Sequence, residues 1–268
     1  MPLAFHASRA AKYEQQQINA ETYILPFIAQ GVTIEGARVL EIGCGEGGIL
    51  QPFLDRGCTC VGIDLSESKI AYAREAFADD IASGRAEFIA ADIYEEAAGA
   101  ALEGRFDIVI MKDTIEHVYG HTRILNRVKD FLADGGVLFV GFPPWRMPYG
   151  GHQQMTESRL GKLPWYHLLP RGAYANLLKT FGESDERIEG LMAVMDTRLS
   201  INQFERMISE TGYRVVAVQH YLVNPIYRYK FGLEPRKQLR FVTAIPWFRD
   251  FVTTTCYYLL SVRAAARR

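Results

Sequence analysis

Short apolar runs alternate with amphipathic stretches through the middle of the chain. The apolar runs predict strands near 38–42, 59–63, 86–90, 106–112 and 136–142. The 3.6-residue periodicity between them predicts helices near 48–55, 67–79 and 121–132. Strands separated by helices are typical of a parallel sheet with helices on both faces. We therefore expect an α/β fold with a doubly wound, mostly parallel sheet.

Both ends of the chain continue this pattern. Apolar residues at helical spacing predict a leading helix from residue 8 to about 29. Ser200 and Gly212 are start and stop signals for a helix at 200–211, which leads into a predicted strand at 213–223. The β-branched and aromatic residues at 253–262 predict a last strand.

The length of 268 residues suits one α/β domain with a large core and is short for two. Residues 143–152 contain three prolines and two glycines, which predict irregular structure. We divide the single domain 1–268 into an N-terminal helical cap at 1–35, a core at 36–142, a substrate cover at 143–199, and a C-terminal part of the sheet at 200–268 with an insertion at 224–250.

A glycine-rich turn follows the first predicted strand, in the segment VLEIGCGEGG at 39–48. Glycines 43, 45 and 48 let the backbone turn tightly and come close to a ligand. Asp64 ends the next predicted strand, where its carboxylate can accept hydrogen bonds from both hydroxyls of a ribose. This spacing also describes a dinucleotide site. Carboxylates at Glu41 and Glu46, however, disfavour a pyrophosphate and favour the cationic amino group and sulfonium of S-adenosylmethionine.

These segments resemble the class I (Rossmann-like) S-adenosylmethionine-dependent methyltransferases, type-11-like. LEIGCGEGG followed by GIDLS is similar to the first two motifs of that family, and AADI at 90–93 is similar to its adenine-binding turn. FDIVIMKD at 106–113 resembles the fourth strand and DGGVLFV at 134–140 the fifth. Four ordered motifs are far more specific than one glycine motif.

The resemblance implies a seven-stranded sheet with an antiparallel C-terminal strand, helical and loop insertions over the active site, and S-adenosyl-L-methionine as cofactor. The positions that it implies as cofactor contacts are Glu41, Gly43, Gly45, Asp64, Leu65, Asp92, Ile93 and Lys112. In the family, the acid matching Asp92 accepts from the adenine amino group. Tyr149 and Trp165, in the predicted cover, are candidate substrate contacts.

Residues that can carry chemistry follow the fourth strand, in the segment KDTIEHVYGH at 112–121. Methyl transfer requires the protein to orient two reactants and to exclude water, and a hydroxyl acceptor also needs a base. If a helical turn begins at Asp113, then Asp113, Glu116 and His117 share one face. We predict His117 and His152 as catalytic residues.

The set Asp113-x-x-Glu116-His117, with His152 further along, resembles the acid-x-x-Glu-His plus distant His of some metal-assisted methyltransferases. Those include ubiquinone-pathway O-methyltransferases and small-RNA 3′-terminal methyltransferases, whose first position is Glu. There a divalent ion holds two substrate hydroxyls and lowers the pKa of the attacking one. Metal-free base catalysis by either histidine and a purely structural role are the alternatives.

The composition of the chain limits which substrates and which cellular location we expect. Thirty basic against 31 acidic residues make nucleic acid an unexpected substrate, so we expect a small-molecule or glycan acceptor. The four cysteines lack zinc or disulfide spacing, and no apolar run approaches the ~18 residues of a membrane span. A cytoplasmic location fits these features.

The C-terminal third is basic and aromatic, which favours either peripheral contact with a membrane face or an ordinary solvated surface. Its basic residues are Arg228, Lys230, Arg236, Lys237, Arg240, Arg249, Arg263, Arg267 and Arg268.

We therefore expect a cytoplasmic S-adenosylmethionine-dependent methyltransferase, with oxygen as the acceptor atom. One alternative is an NAD(P)-dependent oxidoreductase, which Glu41 and Glu46 disfavour, as does the lack of a TyrxxxLys pair after the fifth strand. The other is a non-catalytic S-adenosylmethionine-binding module, which would need neither His117 nor His152.

Overall fold

In the computed structural model, the described residues are 9–95, 102–103 and 105–262, and they are organised around one mixed sheet of eight strands. The strands are β1 (Arg38–Ile42), β2 (Thr59–Asp64), β3 (Ala86–Ala90), β4 (Phe106–Lys112), β5 (Leu132–Phe142), β6 (Tyr213–Val223), β7 (Arg236–Lys237) and β8 (Thr255–Val262). Their order is β3-β2-β1-β4-β5-β8-β6-β7. Strands β1 to β5 are parallel, whereas β8 is antiparallel to both β5 and β6. The predicted mostly parallel sheet with an antiparallel C-terminal strand is thus confirmed.

Helices connect these strands. They are α1 (Arg9–Asn19), α2 (Leu25–Ile28), α3 (Gln51–Leu54), α4 (Glu67–Ala76), α5 (Ala78–Ala82), α6 (His121–Phe131), α7 (Arg171–Thr180), α8 (Asp185–Thr197), α9 (Ile201–Glu210), α10 (Tyr227–Phe231), α11 (Arg240–Thr243) and α12 (Pro246–Val252). A π-helical turn at Ala20–Ile24 joins α1 to α2, and 3₁₀ turns lie at Ile115–His117, Gln153–Met155, Arg159–Lys162 and Tyr166–Leu168.

The sheet differs from the sequence expectation at two places. Strand β5 begins at Leu132 rather than 136, because Leu132 already pairs with Phe106 of β4. The sheet also has eight strands where seven were expected. The additional strand is β7, which has two residues, lies within the predicted insertion and pairs with the end of β6. Its two residues, Arg236 and Lys237, are exposed and basic, and such a pair has no sequence pattern that predicts a strand.

The predicted signals around α9 are confirmed in detail. The Ser200 hydroxyl accepts a hydrogen bond from the Gln203 amide, and the Gln203 side chain accepts one from the Ser200 amide, which makes a capping box. Gly212 then takes a left-handed φ of 74° and ends the helix. Local chemistry in the sequence therefore sets where α9 begins and ends.

Apolar side chains fill both faces of the sheet and also form a third cluster outside it. This third cluster lies within the predicted cover and packs Trp145 and Leu160 against α7 and α8. The segment between β5 and α9 thus has a core of its own. Within the ranges that the structure describes, no helix is both long and apolar enough to cross a membrane.

Strand order decides where a ligand can bind. Strand β1 pairs with β2 on one side and β4 on the other, so the order reverses between β1 and β4. Ligands of open α/β sheets bind outside the carboxyl ends of the strands at such a reversal. Gly43, Asp64 and Asp113 follow or end three of these strands and therefore meet at one edge.

Candidate active site

A cavity of about 810 Å³ opens at this edge of the sheet. Five of the predicted cofactor residues line it, namely Gly43, Asp64, Leu65, Asp92 and Ile93. Thr114 and His117, which follow β4, line the same cavity. Its volume lies within the range of roughly 300–1,000 Å³ that small-molecule and cofactor sites occupy.

The glycine turn forms one wall of the cavity. Gly43 has a φ of 75° and Gly45 one of 56°, in the left-handed region that favours glycine. The third left-handed residue is Gly47, with a φ of 81°, and not the predicted Gly48. Gly48 is instead required by packing, because a Cβ there would lie 2.8 Å from the backbone oxygen of Tyr13 in α1.

Asp64 links the turn to the next loop. Its Oδ2 accepts from the Gly45 amide at 2.9 Å, and its Oδ1 accepts from the Ser66 amide at 2.9 Å. Each carboxylate oxygen has a second lone pair, so the group can still accept hydrogen bonds from the cavity. Asp92 has a similar local anchor, since its Oδ1 accepts from the Tyr94 amide at 2.9 Å. Both carboxylates are thus held in place at the cavity wall.

The two acids next to the glycine turn lie behind that wall. Burial raises the pKa of Glu41 well above its ordinary value, and the Asp64 charge adds to this while Lys112 opposes it. Glu41 Oε2 has no hydrogen-bond partner among the described residues. Glu46 is also buried, and its carboxylate accepts from Lys12 Nζ at 3.3 Å, which ties α1 to the turn. Gly45 and Lys112, two further predicted cofactor contacts, do not line the cavity.

Asp113 is held in an unusual backbone conformation. It has a left-handed φ of 52°, and its amide donates to the Gly141 oxygen of β5 at 2.8 Å. Its carboxylate forms an ion pair with the buried Lys112 ammonium. Loss of solvation alone would raise the pKa of Asp113, but Lys112 outweighs this and lowers it. A non-glycine residue in this region stores strain, which is typical of functional sites.

Glu116, His117 and His152 come together from two distant parts of the chain. Their potential ligand atoms all lie within 4.8 Å of one another, and the two imidazole centroids are 4.9 Å apart. Glu116 is buried, and neither of its carboxylate oxygens has a partner among the described residues. The sequence prediction that His152 joins Glu116 and His117 therefore agrees with the geometry. Asp113, which was also a candidate ligand, is outside this cluster, and its carboxylate is paired with Lys112.

Loss of solvation is the largest cause of the pKa shift at each of these three residues, of which Glu116 is buried, His152 half-buried and His117 the most exposed. Burial, and then the Asp113 charge, raise the pKa of Glu116 well above its ordinary value. Loss of solvation lowers the pKa of His117, and it lowers that of His152 to about 4 with a further contribution from His117. All three pKa shifts therefore favour the neutral form of the group concerned.

The two predicted substrate contacts point elsewhere. Tyr149 Oη donates to the Lys162 oxygen at 3.2 Å, and Trp165 Nε1 donates to the Arg146 oxygen at 3.2 Å. Neither side chain lines the 810 Å³ cavity. Both instead brace the turns that connect β5 to α7, and contact with a substrate remains a prediction.

Sequence reasoning missed two other parts of the site. Arg123 of α6 lies over the Tyr94 ring, 3.9 Å from its centroid, and both residues line the cavity. Lys230 of α10 helps to lower the pKa of Asp113. Burial and the Asp113 charge raise the pKa of Tyr227, in the same helix, to about 12. Arginine at helical spacing and lysine in an insertion are ordinary surface patterns, so neither gave a signal.

Comparison with known proteins agrees with this geometry. The family model described as "Methyltransferase domain" matches residues 14–188. The ubiquinone biosynthesis O-methyltransferase of Leptothrix cholodnii is 29% identical over 107 residues, and that of Chelativorans sp. is 32% identical over 108 residues. These matches cover 40% of this chain and, respectively, 44% and 40% of the relatives, so the chain spans less than half the length of either.

Among solved structures, the magnesium protoporphyrin IX methyltransferase of Synechocystis PCC 6803, determined with bound SAH, superposes with a TM-score of 0.52. It is 16% identical and the match covers 96% of this chain and 88% of that one, which is a likeness of fold. The family match covers most of the chain, from α1 through the cofactor cavity to the start of α8. The chain therefore belongs to the methyltransferase domain family and has the fold of the class I S-adenosylmethionine-dependent methyltransferases.

Proposed function

We propose that this chain transfers a methyl group to an oxygen atom of a small molecule or glycan. The observation that carries the proposal is the position of the Glu116, His117 and His152 cluster beside the glycine turn, with His117 facing the cofactor cavity. A base at this place can reach an acceptor hydroxyl that lies in line with the methyl group. The names of the ubiquinone biosynthesis relatives support oxygen as the acceptor atom.

The cavity fits the cofactor by its chemistry. We assign the ribose hydroxyls to Asp64, whose carboxylate keeps free lone pairs, and the adenine amino group to Asp92. Gly43 brings bare backbone to the cavity wall where a side chain would narrow it. S-Adenosylmethionine, when bound, supplies the activated methyl group on its sulfonium.

The cluster also fits a divalent metal ion. Glu116 carries two buried oxygens that have no partner among the described residues, and the two imidazoles supply nitrogen donors at matching distance. A ligand set of two imidazole nitrogens and one carboxylate suits a first-row transition metal ion better than Mg²⁺ or Ca²⁺, which prefer oxygen ligands. Such an ion would lower the pKa of the acceptor hydroxyl. We propose Glu116, His117 and His152 as its ligands, with Asp113 left to pair with Lys112.

The chain's own residues can also move the proton. His117 is unprotonated at neutral pH because loss of solvation lowers its pKa, so one imidazole nitrogen can accept the hydroxyl proton. The Asp113 carboxylate opposes that lowering and would stabilise the imidazolium once it forms. Next to Asp113, the Lys112 ammonium lies over the Tyr257 ring, with 5.9 Å between Nζ and the ring centroid.

Calorimetric titration with S-adenosylhomocysteine, with NADH as comparator, tests the cofactor. We expect binding of S-adenosylhomocysteine alone, and preference for NADH would instead favour the oxidoreductase. A panel of phenolic, catecholic and glycan acceptors then tests the reaction by methyl release. His117→Ala should lose methyl release while it keeps cofactor binding, and unchanged turnover in this variant would refute the assignment.

Metal dependence is tested by titration with Mn²⁺, Co²⁺ and Zn²⁺. Glu116→Gln keeps the side-chain volume but removes the anionic donor, so affinity should fall by at least about tenfold. Glu41→Gln is the matched control, because Glu41 is equally buried and lies outside the cluster. Equal metal affinity in both variants, or turnover that survives a chelator, would exclude the metal site.

A further inference from the structure

We propose that a surface formed by β7, α11 and α12 docks on an anionic membrane face. This surface, the docking face, comprises the apolar residues Leu239, Phe241, Ile245, Trp247 and Phe248 and the basic residues Arg236, Lys237 and Arg240. It is independent of the methyl-transfer chemistry and lies outside the cofactor cavity.

Large apolar side chains are concentrated here. Phe241 is 69% exposed, Trp247 64% and Leu239 55%, all within nine consecutive positions. The Trp247 ring lies 6.0 Å from that of Phe248, so the aromatic residues adjoin. Single exposed apolar residues are normal, whereas a cluster of this size marks a surface that another phase or partner covers.

Hydrogen bonds and an ion pair attach the segment that carries the docking face to the rest of the fold. The Gln238 amide donates to the His220 oxygen of β6 at 2.9 Å, and Gln238 Nε2 donates to the Val252 oxygen at 2.7 Å. Arg249 turns inward, where it donates to Asn202 Oδ1 at 2.6 Å and pairs with Glu205 of α9. These contacts attach the inner side of the segment to β6 and α9. The apolar side chains of the docking face therefore lie on its outer, solvent-exposed side.

Charge indicates which partner covers it. Residues 235–249 contain four basic residues and no acidic one, and only Arg249 turns inward. Arg236, Lys237 and Arg240 are exposed, and none of them takes part in an ion pair within the described ranges. Such basic side chains are attracted to anionic headgroups, and exposed Trp and Phe lie at the headgroup level of a bilayer.

A lipid surface fits better than a protein surface. The exposed charges of this face are all basic and are interleaved with aromatic residues, which is the pattern of a helix that lies on an anionic membrane. The α11 and α12 helices have four and seven residues, so they can lie on a bilayer but not cross it. The proposed occupant is therefore the headgroup layer of a membrane rich in anionic lipid.

Vesicle co-sedimentation tests the proposal with the full chain. We expect binding to phosphatidylcholine vesicles that contain phosphatidylglycerol, and weak or no binding to phosphatidylcholine alone. Replacing Arg236, Lys237 and Arg240 together by Gln should weaken binding on the order of 100-fold, since each basic residue contributes about fivefold. Phe241→Ser with Trp247→Ser should weaken it by at least roughly tenfold.

Fluorescence locates the contact. The chain has three tryptophans, of which Trp247 is the most exposed and Trp145 is buried. Anionic vesicles should shift the emission to shorter wavelength, and Trp247→Phe should abolish most of that shift while it preserves co-sedimentation.

The control replaces exposed apolar residues elsewhere. Val215 and Val218 of β6 are 43% and 47% exposed, and their replacement by Ser should leave vesicle binding unchanged. The proposal is overturned if the wild type does not bind anionic vesicles, or if the docking-face variants bind as well as the control. If the wild type does not bind vesicles but forms a dimer, and Phe241→Ser with Trp247→Ser dissociates that dimer, then the docking face is a protein contact and the proposal is wrong.

Discussion

Gly43 offers a sharp test of the glycine turn, because the chain contains a matched glycine elsewhere. Gly43 has a φ of 75° and Gly57 one of 73°, so alanine incurs the same backbone strain at both positions. That strain costs about 1–2 kcal/mol and is partly offset by the lower entropy of the unfolded alanine chain. A Cβ at Gly57 meets nothing within 4 Å. Gly57→Ala should therefore lose only about 1 kcal/mol of unfolding free energy.

The same Cβ at Gly43 overlaps Thr114. It would lie 2.6 Å from Thr114 Cγ2 and still closer to Oγ1, and both atoms belong to a residue that lines the cavity. Overpacking of this kind costs about 1–3 kcal/mol beyond the backbone term. Gly43→Ala should then lose roughly 2–4 kcal/mol. It should also weaken S-adenosylhomocysteine binding, since Thr114 must move into the cavity.

Urea unfolding of both variants, alone and combined with Thr114→Ala, measures the contact. In the Thr114→Ala background the nearest remaining atom is Cβ, at 3.1 Å, so most of the extra cost of Gly43→Ala should disappear. Equal losses for Gly43→Ala and Gly57→Ala would refute the reasoning. So would an extra loss that Thr114→Ala fails to relieve.

Three further predictions concern titrating groups. Asp64→Asn should weaken S-adenosylhomocysteine binding by roughly 10- to 100-fold, since it removes a charged acceptor, and calorimetry measures this. Glu41 has a pKa raised by burial, so the folded chain keeps a proton that the unfolded chain loses, and stability falls as pH rises above about 4.5. Glu41→Gln should remove this loss in urea unfolding at pH 5 and 8. Burial lowers the pKa of His220 from 6.5 to about 4, so stability should fall by up to ~3 kcal/mol as pH drops through that window, and His220→Gln should flatten the slope.

The first of these predictions has a control variant, and each of the other two has a result that would contradict it. Asp107→Asn alters a carboxylate that accepts from the Arg38 amide at 2.8 Å, where β4 and β1 begin, and S-adenosylhomocysteine affinity should not change. Glu41→Gln that gains no stability at pH 8 relative to pH 5 would mean that Glu41 is ionised in the fold. An unchanged slope between pH 6.5 and 4 in His220→Gln would mean that other groups cause the acid loss.

The central strands were predictable because burial on both faces makes them continuous apolar runs. Strands β1 and β4 contain such runs, and the structure places both within the predicted limits. Strand β7 was not predictable, because Arg236 and Lys237 pair with β6 through tertiary contact alone. The separate core of the segment between β5 and α9 was also missed, since proline and glycine break the pattern that would announce it.

The site was predictable where chemistry is local in the chain. The turn at Gly43 and the acid at Asp64 belong to one strand-turn-helix-strand unit, and their spacing encodes their meeting. The helical face proposed for Asp113, Glu116 and His117 was a poorer inference. Asp113 takes a left-handed φ, and only Ile115–His117 forms a 3₁₀ turn, so the side chains do not share a helical face.

The acids around the cavity differ in their partners, a difference that the sequence did not reveal. Asp113 follows β4 and pairs with the Lys112 ammonium, which lowers the pKa of Asp113 and favours its charged form. Glu41 and Glu116 are enclosed without a cationic neighbour strong enough to outweigh burial, so the pKa of each is raised well above its ordinary value. A buried carboxylate retains its charge only when a cation meets it. The potential ligand atoms of Glu116 lie within 4.8 Å of those of His117 and His152, whereas Glu41 is outside this cluster. Under the metal proposal, Glu116 is therefore the buried acid that would exchange its proton for the ion.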